Sequence, residues 1–206
     1  MALRRLSTSS IQTNGKSSKL WDQTTFQSGM FALATVDFVT GVSSVTFAGI
    51  PQDYTHLQIR YALAGSVPGS GESYSNLRFN SDSTAGNYCT HKLSGDGATA
   101  TSAASTSQAQ INIPHRVHNT SDFIRSVGIV DILDYTSTTK VKTVKILAGF
   151  DTNNVSSGVV SLTSGAYCPG LNTTPAPAAI TSLSISMTTY GYASNGIVAL
   201  YGIKSA

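Results

Sequence analysis

From about residue 26 onward, apolar and polar residues alternate with a period of two, the spacing of strands that bury one face. The clearest case is YTHLQIRYALA, residues 54–64. It sets Leu57, Ile59, Tyr61 and Leu63 on one side, and His56, Gln58, Arg60 and Ala62 on the other. SVTFAGI (44–50) alternates more weakly, SNLRF places Leu77 and Phe79 around Arg78, and QINIP ends a strand at Pro114. KVKTVKILAGF carries Lys140, Lys142 and Lys145 among Val141, Val144, Ile146 and Leu147. ITSLSISMT keeps Ile180, Leu183, Ile185 and Met187 near one face with one slip of phase. GIVALYGIK is apolar almost throughout and reads as a central strand.

One stretch is ambiguous. In FIRSVGIVDILDY (123–135), Ile129, Ile132 and Leu133 have helical spacing. The β-branched content favours a strand, with room for a bulge. Turn-forming stretches separate these runs: AGSVPGSGES (64–73), NSDSTAGN (80–87), SGDGATATSAASTSQ (94–108), DTNNVSSG (151–158) and PGLNTTPAPAA (169–179). Gly, Pro, Asn, Asp and Ser supply the backbone geometries that turns need. The 94–108 segment is small-residue-rich and of low complexity, and predicts an exposed loop. Nine to eleven short strands with such breaks predict an all-β antiparallel sandwich or barrel. No segment predicts a long amphipathic helix, and no repeat of fixed period stands out.

Composition agrees with that pattern. Charged residues make up 11% of the 206, against about 25% in an ordinary soluble domain. Ser, Thr, Asn and Gly replace them, which suits strands and turns better than exposed helices. The charge is unevenly placed. Residues 1–25, MALRRLSTSSIQTNGKSSKLWDQTT, hold Arg4, Arg5, Lys16 and Lys19 against Asp22 alone, whereas residues 26–206 hold nine basic and nine acidic side chains. The net +3 therefore sits on an N-terminal arm in front of a neutral body. A neutral body lacks the basic stripe of a nucleic-acid binder, and it favours association over colloidal repulsion. The division expected is an arm over 1–25 and a β-sandwich domain over 26–206.

No run approaches the ~20 apolar residues of a membrane helix, and no apolar stretch near the start fits a secretory signal. The first 20 residues, Arg- and Ser-rich without acids, do match the composition of a transit peptide. Cys89 and Cys168 stand far apart in no metal-type spacing and read as two unpaired thiols of a reducing cytosol, a single long-range disulfide being the alternative.

Candidate chemistry is sparse. His115 and His118 in PHRVH could share a metal, but only Asp122 is a nearby acid, so a polar loop or subunit contact is the expectation. Asp131 and Asp134 are three apart; on a strand they face opposite sides and do not form an acid–base pair. NSDSTAGN and DTNN lack the closing Glu of a calcium loop. GxSxG, HExxH and GxxxxGK[ST] are all missing, and SGDG and GSG are turn glycines. No catalytic, cofactor or metal residue is expected. Tyr88, Tyr190 and Tyr192 lie near turns or strand ends, where tyrosine is usually structural, the alternative being stacking on a sugar ring.

Four stretches carry a resemblance: GVSSVTFAGIPQDYTHLQIRYALA, LRFNSDSTAGNYCTHKLSGDG, IVDILDYTSTTKVKTVKILAGFD and ALYGIK, together covering much of residues 40–206. They resemble a family of small structural proteins of tailed bacteriophages, of the capsid-decoration or tail-fibre type. The resemblance implies a jelly-roll-like β-sandwich, a place on the outside of a virion and synthesis in a bacterial cytoplasm. It supplies no functional residues and leaves head or tail open. In that setting a transit peptide has no use, and the arm reads as an attachment peptide that orders on binding. Trp21 is its natural anchor, and Arg4 and Arg5 can grip partner carboxylates alongside Lys16 and Lys19.

Two functions are therefore expected in competition. One is a non-enzymatic virion component whose body self-associates, as a trimer, and whose arm docks on the capsid or tail. The other is a fibre-tip module that recognises a host receptor or surface glycan through the loops at 64–73, 80–87, 94–108 and 151–158. A polysaccharide-cleaving enzyme would need converging carboxylates, and the nine acids of the body show no such pairing in sequence.

Overall fold

The structure is a computed structural model that describes residues 18–19, 25–26, 29–66, 72–116, 125–151, 158–187 and 191–204. Every regular element among them is a strand. β1 (Ser18–Lys19) and β2 (Thr25–Phe26) form a two-residue antiparallel ladder across the expected end of the arm. The sandwich is built from β3 (Met30–Asp37), β4 (Ser44–Phe47), β5 (His56–Leu63), β6 (Glu72–Phe79), β7 (Tyr88–Gly95), β8 (Ala100–Gln108), β9 (Ile111–Arg116), β10 (Ser126–Ile132), β11 (Lys142–Phe150), β12 (Val159–Tyr167), β13 (Leu183–Ser186) and β14 (Ile197–Ile203). Eight strands form a large sheet in the order β3-β14-β5-β10-β11-β12-β7-β8, and four form a small one, β4-β13-β6-β9. Every pairing is antiparallel. From β3 to β14 the chain changes sheet at each connection except within the β7–β8 hairpin and the β10–β11–β12 meander. That alternation closes the two sheets over one core as a β-sandwich.

The alternation seen in the sequence sets which face goes in. Leu57, Ile59, Tyr61 and Leu63 of β5 are all buried, and Arg60 between them is exposed. They meet Leu77 and Phe79 of β6, Ile111 and Ile113 of β9, Val130 and Ile132 of β10, Val144 and Ile146 of β11, and Leu183 and Ile185 of β13 in one core. Each such side chain contributes about 1.5–3 kcal/mol by leaving water. The phase slip near Ile180 has a simple cause: the strand starts only at Leu183, and Ile180 reaches the core from the lead-in, its N–H donating to Tyr135 O at 2.8 Å. β14 lies between β3 and β5, the central position its composition predicts.

Tyrosines pack into the core. The rings of Tyr88 and Tyr167 pack tilted at 30° with centroids 4.7 Å apart, and the Phe79 ring centroid lies 5.2 Å from that of Tyr167. Tyr192 is buried and donates to Ser75 Oγ at 2.7 Å. Buried phenols need partners, and these have them.

One expectation needs correction. Residues 100–108 are not a loop but strand β8, paired along β7 at the edge of the large sheet. A strand of Ala, Ser, Thr and Gln has no apolar alternation, because both its faces meet water. The ambiguous stretch holds strand β10 over Ser126–Ile132, as its β-branched content predicts, and its ladders with β5 and β11 run without a bulge. Lys142 also behaves unlike its neighbours Lys140 and Lys145. It occupies an inward position of β11, is buried, and caps the carbonyls of Ser137 and Lys140 in the preceding turn.

Candidate functional site

The sequence-selected residues do not converge. Arg4, Arg5, Lys16 and Trp21 lie outside the described residues; Lys19 is described as backbone paired with Thr25. His115 sits in β9 opposite Ser73, while His118 and Asp122 lie outside the described residues. Among the described residues no three His, Cys, Asp or Glu side chains gather as metal ligands. Cys89 and Cys168 are unpaired thiols.

The carboxylates are occupied separately. Asp131 accepts from Gln58 Nε2 at 2.8 Å and faces Lys145 Nζ at 3.5 Å. Asp134, at φ 49°, starts the turn leading to Lys140, whose ammonium lies 2.8 Å away and holds the carboxyl below the usual aspartate range. In the 80–87 turn, burial opposes ionisation of Asp82, but donation from Thr84 N–H and the Asn87 amide outweighs it and lowers its pKa. Asp96 accepts from Ala98 and Thr99 N–H at 2.9 and 2.6 Å. These acids brace turns. Tyr88 and Tyr192 are buried in the core and offer no ring to a sugar; Tyr190 lies outside the described residues. The candidate loops at 64–73 and 151–158 are described only at their ends.

What the tertiary structure does bring together is a row of large apolar side chains on the outer face of the large sheet. Ile129 of β10 is in register with Leu147 of β11, Leu147 with Leu162 of β12, and Leu162 with Leu93 of β7. Side chains directly opposite on one face of a sheet lie within contact range of each other. Leu93, Leu147 and Leu162 are 54, 52 and 45% exposed, so the row is open to water rather than covered. One pleat along, Val127, Gly149 and Val160 form a second register row, with both valines more than half exposed.

Gly149 shapes this surface. A Cβ there would stand 3.0 Å from Val159 O and 3.4 Å from Val160 Cγ2. Without it, a depression of about 580 Å³ opens among Val127, Ile129, Leu147 and Val160, with Arg60 at its margin. Polar groups border the row: Arg60 Nε donates to Gln58 Oε1 at 2.9 Å, Gln58 donates to Asp131, and the Arg60 guanidinium stands 5.6 Å from the Tyr201 ring centroid. An apolar centre with a hydrogen-bonded polar margin is the anatomy of an interaction surface.

None of these outward residues was selected as a site from the sequence. The signal for them was present but thin: Val127 and Ile129 in 126–132, Leu147 in 142–150, and Val160 and Leu162 in 159–167 are apolar at outward positions, which a half-exposed strand does not need. No family model, curated protein or solved structure matches this chain.

Proposed function

We propose that this chain is a non-enzymatic structural subunit that works by association, a virion component of the tailed-bacteriophage decoration or fibre type. Its body self-associates as a trimer through the outer face of the large sheet, and residues 1–25 attach it to the capsid or tail. The observation that carries the reading is the register row Ile129–Leu147–Leu162–Leu93, exposed on a rigid antiparallel sheet. Covering such a row removes apolar area from water at little cost in order, because the strands are already fixed by their ladders. The neutral charge of residues 26–206 lets copies approach without repulsion, and the arm carries the cations that would meet an acidic partner. The four stretches that resemble phage structural proteins support the location.

Sedimentation of the full chain tests the reading. The intact protein should run at trimer mass, and Leu147→Glu with Leu162→Glu should reduce it to a folded monomer. A wild-type chain that is monomeric at tens of micromolar, or a double variant that stays assembled, would refute it. Removing residues 1–25 should leave a folded body that no longer joins the particle.

A further inference from the structure

A second feature lies away from that row, where the eight-stranded sheet overhangs the edge of the four-stranded one. Tyr74 of β6 and Asn112 of β9 face Thr90 and Lys92 of β7, Ala103 and Ser105 of β8, and Thr163 of β12 across a pocket of about 180 Å³. Register places these groups side by side: Thr163 is paired with Lys92, Lys92 with Ala103, and Thr90 with Ser105. A single water needs only ~10–15 Å³, so the pocket admits something larger.

Its wall is polar and incompletely satisfied. Thr163 is 2% exposed, and its Oγ1 has no hydrogen-bond partner among the described residues; neither has the buried Oδ1 of Asn112. Leaving such atoms unpaired costs about 1–3 kcal/mol each. Lys92 Nζ donates to Tyr74 Oη at 2.7 Å and stands 4.8 Å from that ring's centroid, which fixes the tyrosine at the mouth.

These groups define the chemistry of an occupant. Asn112 Oδ1 only accepts, so the occupant must bring an O–H or N–H donor, which a carboxylate or a fully deprotonated phosphate lacks. Thr163 Oγ1 both donates and accepts, so it can pair with a group that does the same. No carboxylate lines the pocket to hold a cation. Adjacent hydroxyls on a small ring meet all these demands.

We propose that this pocket binds the vicinal hydroxyls of a neutral, hexose-sized saccharide. The site goes beyond the assembly role; of the stretches that the sequence offered for glycan recognition it takes only Ala103 and Ser105, from 94–108, and it uses none of Tyr88, Tyr190 and Tyr192. Amide chemical shifts of the full chain, followed while glucose, galactose, mannose or N-acetylglucosamine is added, test it, with glycerol as the control for a non-specific polyol. At least one sugar should shift the amides of Lys92, Ala103, Asn112 and Thr163. Thr163→Val should weaken that sugar roughly fivefold by removing one hydrogen bond. Ala103→Leu, on an exposed strand where bulk does not threaten folding, should abolish binding. No shift with any sugar, the same shifts with glycerol, or unchanged binding in both variants would overturn the site. None of those outcomes alters the sedimentation result, so the two proposals fail separately.

Discussion

Ile146 and Leu147, neighbours on strand β11, differ in circumstance more than in chemistry. Val144, Ile146 and Ala148 point inward and are buried; Leu147, one position from Ile146, points outward and is half exposed. The same contrast runs through β10, where Val130 and Ile132 are buried while Val127 and Ile129 are exposed. An apolar side chain stabilises the isolated fold only where another layer covers it. On the outer face the same side chain stays in water, where the proposed assembly would cover it.

The largest expected effect that tests this contrast is on the inner face. Ile146→Ala should destabilise by about 2–5 kcal/mol in chemical denaturation, because its neighbours on both sheets cannot collapse into the gap. A small loss there would mean that the two layers are not packed as described.

Alkaline pH probes the same core through its tyrosines. Burial raises the pKa values of Tyr88, Tyr135 and Tyr192 and pushes that of Tyr167 up to about 12. A raised folded-state pKa means the unfolded chain loses its proton first. The stability from these groups is therefore complete below about pH 10 and falls as pH rises beyond it. Each should cost up to about 1.4 kcal/mol per pH unit. Lys142, whose pKa burial lowers, contributes with the opposite sign just below the ordinary lysine range, and one group does not outweigh four. Denaturation at stepped pH, with tyrosinate absorbance as the readout, should show these phenols ionising only on unfolding. Early ionisation of most of them would place them at the surface.

Gly128 gives a smaller effect on the inner face. A Cβ there would lie 2.4–2.6 Å from the ring of Tyr61, whose hydroxyl donates to Pro114 O at 2.9 Å. Gly128→Ala should cost about 1–3 kcal/mol by displacing that ring, measured by thermal or denaturant midpoint. A neutral result would show that Tyr61 is free to move.

The smallest effect sharpens the comparison most. Leu147→Ala on the outer face should change the stability of the monomer by about 0.5 kcal/mol or less while weakening assembly in sedimentation. A cost close to that of Ile146→Ala would show that this face is covered within a single chain.

Much of the fold was readable in order along the chain. Leu57, Ile59, Tyr61 and Leu63 announced a strand and its buried side, because a period of two admits one solution once one face must leave water. Asp134 was readable as a turn residue for a similar local reason: a short polar side chain tolerates positive φ and can hold Lys140 across the turn. The helical spacing of Ile129, Ile132 and Leu133 is incidental, and the strand that their β-branched content favoured gives them three different purposes. Ile129 points outward, Ile132 inward, and Leu133 begins a turn. Strand β8 was illegible because its partner β7, not its own alternation, makes it a strand.

The sequence alone thus determined the all-β class, the buried face of most strands, the turns and the concentration of net charge in residues 1–25. Those properties depend on neighbours in the chain, on steric preference and on solvent. Tertiary structure alone decided the register that lines up Ile129, Leu147, Leu162 and Leu93, and the meeting of Tyr74, Lys92, Asn112 and Thr163 across the sheets. Both groupings join residues from different strands. Their coincidence is set by how the ladders pair and how one sheet lies over the other, which no local pattern encodes.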